Sequence, residues 1–204
     1  MIRLVLLSFL FLCLNAADYE ALFQKQLPSL NHLDVENPPI MVLFSGTPGM
    51  GKSTVAKELE SVFKGIRFST DETRIMFREE GVEFSHLPDY SEYVLRRLNA
   101  VSPNRFIILD RSTDRSFDRL EAFMQELETP YFLIRMIVPR EIVEERILSR
   151  GINPEGNLRI LDNCWKDYEA FNETHTFDYL FDNKEEDISP RMPPLVNALQ
   201  NRLK

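Results

Sequence analysis

Residues Pro38 to Glu58 read PPIMVLFSGTPGMGKSTVAKE, and the rest of the chain is read outward from them. Ile40-Met41-Val42-Leu43-Phe44 is an apolar, β-leaning run set off by Pro38-Pro39, the pattern of a strand buried inside a parallel sheet. Gly46-Thr47-Pro48-Gly49-Met50-Gly51-Lys52-Ser53 then fits G-x-x-x-x-G-K-[ST] at every fixed position, and Thr54 onward starts a helix. A backbone that curls around a phosphate needs residues without a Cβ where it approaches closest. Gly46, Gly49 and Gly51 supply them, and the N–H groups they free form an anion nest at the helix N-terminus. Such a loop, Gly46 to Thr54, binds a nucleoside triphosphate: Lys52 places charge on the β- and γ-phosphates and Ser53 offers its hydroxyl to Mg2+.

At 204 residues the chain has room for one α/β domain with a full core. A net charge of −8 argues against broad, non-specific binding of nucleic acid while leaving room for a local basic cleft. Cys13 and Cys164 are the only cysteines, and His32, His86 and His175 are scattered, so no spacing suits a structural zinc site. Met1-Ile2-Arg3, the apolar run Leu4 to Leu14 and the small residues Ala16-Ala17 have the layout of a secretory signal peptide, too short for a comfortable membrane span. The expectation is export through a leader over residues 1–17, with a cytoplasmic protein as the alternative. A helix and proline-marked linker over 18–39 then lead into a nucleotide-binding domain over 40–204.

Beyond the loop, β-rich runs alternate with helical ones. Strands are expected at Gly65–Ser69, Arg105–Asp110, Phe132–Val138 and Phe177–Phe181, and helices over Asp114–Glu128, Arg140–Arg150, Leu158–Phe171 and Pro193–Leu203. Gly81–Asp89 and Gly151–Asn157 read as loops. The alternation predicts right-handed βαβ units, hence an α/β, three-layer α/β/α P-loop NTPase fold with a five-stranded, mainly parallel sheet and a small mobile lid. Ligands in such folds sit at the C-terminal ends of the strands. There the chain places Asp71 after the second strand, with Arg74 one helical turn on, and Asp110 after the third, in the hhhhD form of a Mg2+-associated carboxylate. Thr70 or Asp71 is a candidate helix cap. Arg146 and Arg150 lie four apart on one helix, just before a Gly- and Pro-bearing loop suited to closing over a site.

Gly46 to Thr54, Ser69-Thr70-Asp71-Glu72-Thr73-Arg74 and Glu145-Arg146-Ile147-Leu148-Ser149-Arg150-Gly151 together resemble the P-loop kinases of the polynucleotide-kinase and zeta-toxin-like group, most of all the 5′-hydroxyl polynucleotide kinase domain. The resemblance spans roughly residues 40–183. It implies a kinase using ATP and Mg2+, with Lys52, Asp71, Arg74 and Arg150 catalytic. Asp71 would take the acceptor's proton, Arg74 would hold the acceptor or its phosphate, and Arg150 would reach the transferred phosphoryl from the lid. Arg146 would serve the nucleotide, and Ser53 and Asp110 the metal. Two other readings stand beside it. Asn183-Lys184-Glu185-Glu186 nearly matches the guanine-reading N-K-x-D, with Glu in place of Asp, and a nucleotide-binding protein without turnover needs no base at Asp71. For the acceptor, Arg74, Arg78, Arg111, Arg115, Arg146 and Arg150 are expected to be nearly cancelled at the rim by Asp71, Glu72, Glu79, Glu80, Asp110 and Asp114. That balance favours a small hydroxyl-bearing acceptor over a nucleic-acid 5′ end.

Overall fold

The computed structural model describes residues 19–151 and 154–204, so the expected leader lies outside it. Five strands form one sheet: β1 (Asn37–Ser45), β2 (Ile66–Ser69), β3 (Asn104–Ser112), β4 (Tyr131–Ile137) and β5 (Tyr179–Asp182), ordered β2-β3-β1-β4-β5. Every neighbouring pair is parallel. The helices are α1 (residues 19–26), α2 (Lys52–Phe63), α3 (Thr70–Glu79), α4 (Leu87–Val101), α5 (Phe117–Glu126), α6 (Arg140–Ser149), α7 (Pro154–Thr174) and α8 (Met192–Arg202).

The unbroken apolar run of β1 is explained by its place at the centre of a sheet covered on both faces. Ile40, Val42 and Phe44 point to one side, where Val55, Ala56 and Leu59 of α2 and Leu195 and Leu199 of α8 complete a core. Met41 and Leu43 point to the other, against Phe77, Tyr90 and Val94 from α3 and α4, and Leu22 and Phe23 of α1 pack into the same layer. Period-two alternation thus feeds two cores from one strand. Among the described residues no helix is long and apolar enough to cross a membrane.

The element boundaries differ from expectation where prolines start elements. Pro38 and Pro39 lie inside β1, tolerated because the pairing with β3 skips from Asn37 to Ile40 and leaves both outside the ladder. Pro88 stands in the first turn of α4, which therefore begins at Leu87, within the expected loop. Helix α7 likewise begins at Pro154, four residues before the expected Leu158. Part of the expected mobile loop is thereby helical, and residues 152–153 lie outside the described set.

Candidate active site

The phosphate-binding loop leaves β1 at Ser45 and enters α2 at Lys52. Gly51, the residue before that helix, has φ +85°, and a Cβ there would lie 2.3 Å from Asn183 Nδ2. Asn183 follows β5, is buried, and donates to the Met50 carbonyl at 2.8 Å, so the glycine, the loop and the end of β5 are fitted to one another. Lys52 Nζ reaches back over the loop, donating to the Gly46 carbonyl at 3.0 Å and that of Thr47 at 2.8 Å. Burial pushes this ammonium down from its ordinary pKa, opposed by the nearby carboxylates Asp114, Asp110 and Asp71. Met50 and Thr47 are buried, with the Thr47 N–H on Met50 Sδ at 3.3 Å, so these two residues shape the loop from within. Pro48, Gly49, Gly51, Lys52 and Ser53 line a cleft of about 550 Å³. Thr54 sits in the first turn of α2, its N–H bonded to the Gly51 carbonyl at 3.1 Å.

Beside the loop, Ser53 Oγ donates to Asp110 Oδ1 at 2.8 Å, while Arg67 Nη1 holds Oδ2 at 2.7 Å. Asp110 is a buried carboxylate, its side chain 3% exposed, and Arg67 is its counter-ion. Arg67 also contacts Glu60 at 3.1 Å and Glu72. Arg67 is not among the residues expected at the site, although a charged residue in an otherwise apolar strand beside a strand-end carboxylate is a signal for it in the sequence. One carboxylate oxygen and one hydroxyl suit Mg2+, which takes few protein oxygens and completes its shell with phosphate and water. Among the described residues there is no group of three or more His, Cys, Asp or Glu side chains placed to hold a metal ion.

Across the cleft, α3 is capped by Ser69, whose Oγ accepts from the Glu72 N–H at 3.4 Å, and neither Thr70 nor Asp71 is the cap. Asp71 is thereby free of that duty. Its side chain is 81% exposed on the cleft wall, where Oδ1 accepts from Arg74 Nη1 at 2.5 Å. Arg150, at the C-cap of α6, and Ile160 and Cys164 of α7 complete the wall. Arg146, one turn earlier, goes elsewhere: its guanidinium lies 3.5 Å from the Gly49 carbonyl and 3.4 Å from that of Lys184, on the flank of the loop. The two arginines therefore serve different parts of the site.

The near-cancellation of charge expected at the rim is not repeated in the lining of the cleft itself. Among the described residues the cleft is lined by five basic side chains, Lys52, Arg74, Arg111, Arg115 and Arg150, against two carboxylates, Asp71 and Asp110. Glu72 is committed to Arg67 and Glu80 to Lys25, and Glu79, Arg78 and Arg146 stand outside the lining. Arg115 pairs with Asp167. Arg111 is partly buried, its Nη2 on Ser116 Oγ at 3.2 Å and its Nε shut away from solvent without an acceptor. Burial, with Arg74 and Arg119 nearby, pushes its pKa down to about 10. Asp114 accepts from the Gly46 N–H at 3.1 Å and Ser112 Oγ at 2.9 Å, and burial raises its pKa against these stabilising contacts.

No protein-family model and no curated protein sequence matches the chain. Solved structures do. It is similar to the APS kinase of Mycobacterium tuberculosis, solved with AMPPNP and APS, at 17% identity over 80% of this chain and 99% of that one, with a TM-score of 0.51. It is similar to the shikimate kinase of Acinetobacter baumannii, solved with shikimate, at 17% identity over 83% and 97%, TM-score 0.53. A shikimate kinase from Bacteroides thetaiotaomicron gives 16% identity over 80% and 98%, TM-score 0.53. The chain has the fold of these P-loop kinases, a three-layer α/β/α P-loop NTPase with five parallel strands.

Proposed function

We propose that the chain is an ATP- and Mg2+-dependent kinase that transfers the γ-phosphoryl group to a hydroxyl of a small molecule. The observation that carries this reading is the single cleft with the phosphate-binding loop on one wall and Asp71, Arg74 and Arg150 on the others. Phosphoryl transfer asks a protein mainly for positioning and for positive charge around the moving group. Gly46 to Thr54 would cradle the triphosphate, with Lys52 at its β/γ end and Arg146 beside the loop. Ser53 and Asp110 would hold Mg2+, which, when bound, neutralises charge on the phosphate oxygens. Asp71 would take the acceptor hydroxyl's proton, Arg74 would orient the acceptor, and Arg150 would draw in from α6 toward the transferred phosphoryl. The similar kinases solved with APS and with shikimate, both small molecules, support the acceptor class.

The test is incubation with Mg2+ and γ-labelled ATP against hydroxylated metabolites, nucleosides and single-stranded oligonucleotides with free 5′-hydroxyls, with excess unlabelled GTP or ATP as competitor. Label should appear on a small molecule, yield to ATP better than to GTP, and vanish in Lys52→Ala. Label on oligonucleotide ends alone would replace the small acceptor with a nucleic-acid 5′ end. Tight ATP binding without transfer to any acceptor would leave a nucleotide-binding protein.

A further inference from the structure

Of the two cleft-lining cations that the proposed chemistry leaves unused, Arg115 is paired with Asp167 and Arg111 is not paired with a carboxylate among the described residues. Arg111 sits where β3 ends, one residue past Asp110, in the lining between the phosphate-binding loop and the α3 wall that carries Asp71 and Arg74. Among the described residues no carboxylate forms an ion pair with it, whereas Arg67, Arg74 and Arg115 all have one. Ser116 Oγ accepts from Nη2 at 3.2 Å and so fixes the plane of the guanidinium. The Nε–H has no acceptor although solvent does not reach it. Holding a guanidinium with an unmet buried donor next to Arg74 costs stability, since neither water nor a counter-charge repays its desolvation. A chain that could place a neutral side chain here keeps its most delocalised cation instead, the residue whose planar fork suits phosphate, sulfate and carboxylate groups.

We propose that the acceptor carries its own anionic group, a phosphate, sulfate or carboxylate, and that Arg111, with Arg74 and Arg115 beside it, binds that group at the end of β3, apart from the nucleotide's phosphates. The inference rests on the kinase reading above and narrows its acceptor. Its position explains why: Arg111 lies in the lining between the loop and the α3 wall that carries Asp71, so an anion seated on it holds a neighbouring hydroxyl in the same cleft as the base. The basic lining within a chain of net charge −8 serves the same end, drawing a small anion into this cleft.

The experiment uses the full chain saturated with AMPPNP and Mg2+, so that the phosphate-binding loop is filled. Thermal unfolding is followed while inorganic phosphate, sulfate or acetate is added. Wild type should be stabilised by at least one of the three. Arg111→Gln and Arg111→Met should need at least about tenfold more anion for the same rise in Tm, with AMPPNP affinity unchanged, and Arg111→Lys should recover part of the response. Arg96→Gln, which removes an exposed cation paired with Glu126, gives the response to lost charge alone. Without anion, Arg111→Met should unfold no earlier than wild type, an outcome that a structural role for the guanidinium would reverse. Three results would overturn the proposal: no anion response in wild type, an equal response in the Arg111 variants, or loss of AMPPNP binding instead. If wild type binds no AMPPNP, the kinase reading fails by itself, and the anion series without nucleotide still scores Arg111.

Discussion

At the scale of single residues, Asp71 and Asp114 show how surroundings divide labour between carboxylates. Asp71 is open to solvent, and among the described residues it is held by an exposed pair with Arg74, an interaction worth about 0–1 kcal/mol. Its charge is therefore available to an incoming hydroxyl. Asp71→Asn should lower kcat by about 10²–10⁴ while leaving ATP binding near wild type, measured by steady-state kinetics and nucleotide titration. A change confined to stability would remove Asp71 from the chemistry. Asp114 behaves oppositely, because burial raises its pKa and its folded-state carboxyl favours the proton. A raised folded pKa means that its contribution to stability is full below the unfolded value, near 3.9, and is lost as pH rises through the folded value. Asp114→Asn, always neutral, should gain on wild type in urea unfolding at pH 7, and the gain should vanish toward pH 3.

At the scale of elements, the ends of strands decide the site. Much of this was legible: an apolar run into G-x-x-x-x-G-K-S leaves few alternatives, Asp71, Arg74 and Asp110 reach the same cleft because parallel strands present their C-terminal ends together, and Arg150 joins them from the end of α6. What stayed hidden were partnerships that join elements distant in sequence. Ile66-Arg67-Phe68 shows a charge in an apolar strand but not that its partner is Asp110, and no periodicity tells Glu80 to turn away toward Lys25. Asn183 stood out in the sequence for a guanine-like motif, yet it is buried against the loop at Met50. Asn183→Ala removes a buried donor and strands that carbonyl, which should cost about 1–3 kcal/mol in urea unfolding and raise the KM for ATP more than it lowers kcat. Gly51→Ala should be worse. It adds a Cβ to the same crowded contact at a positive φ, and its activity loss should be only partly relieved when Asn183 is shortened as well.

For the molecule as a whole, a chain of net charge −8 contains a cleft lined by five basic side chains against two carboxylates. A small anion can be met there, but a long polyanion passing the rim finds few further cations to displace its counter-ions. Binding to single-stranded oligonucleotides, followed by mobility shift across a salt series, should therefore show a log–log slope shallower than about −3. A steeper slope with 5′-labelling would shift the acceptor to nucleic acid. The Asn183–Met50 bond has a further consequence, for the birth of the molecule. The two residues are 133 positions apart in sequence, so the Asn183 contact to the glycine loop, though the loop is made early, forms only once β5 has joined the sheet. A nascent chain stalled on the ribosome before residue 183 would display the whole phosphate-binding motif and still hold nucleotide poorly. On the proposed kinase reading, full affinity for ATP would arrive only when the last strand docks, which would make nucleotide capture a late signal that synthesis of the sheet is complete.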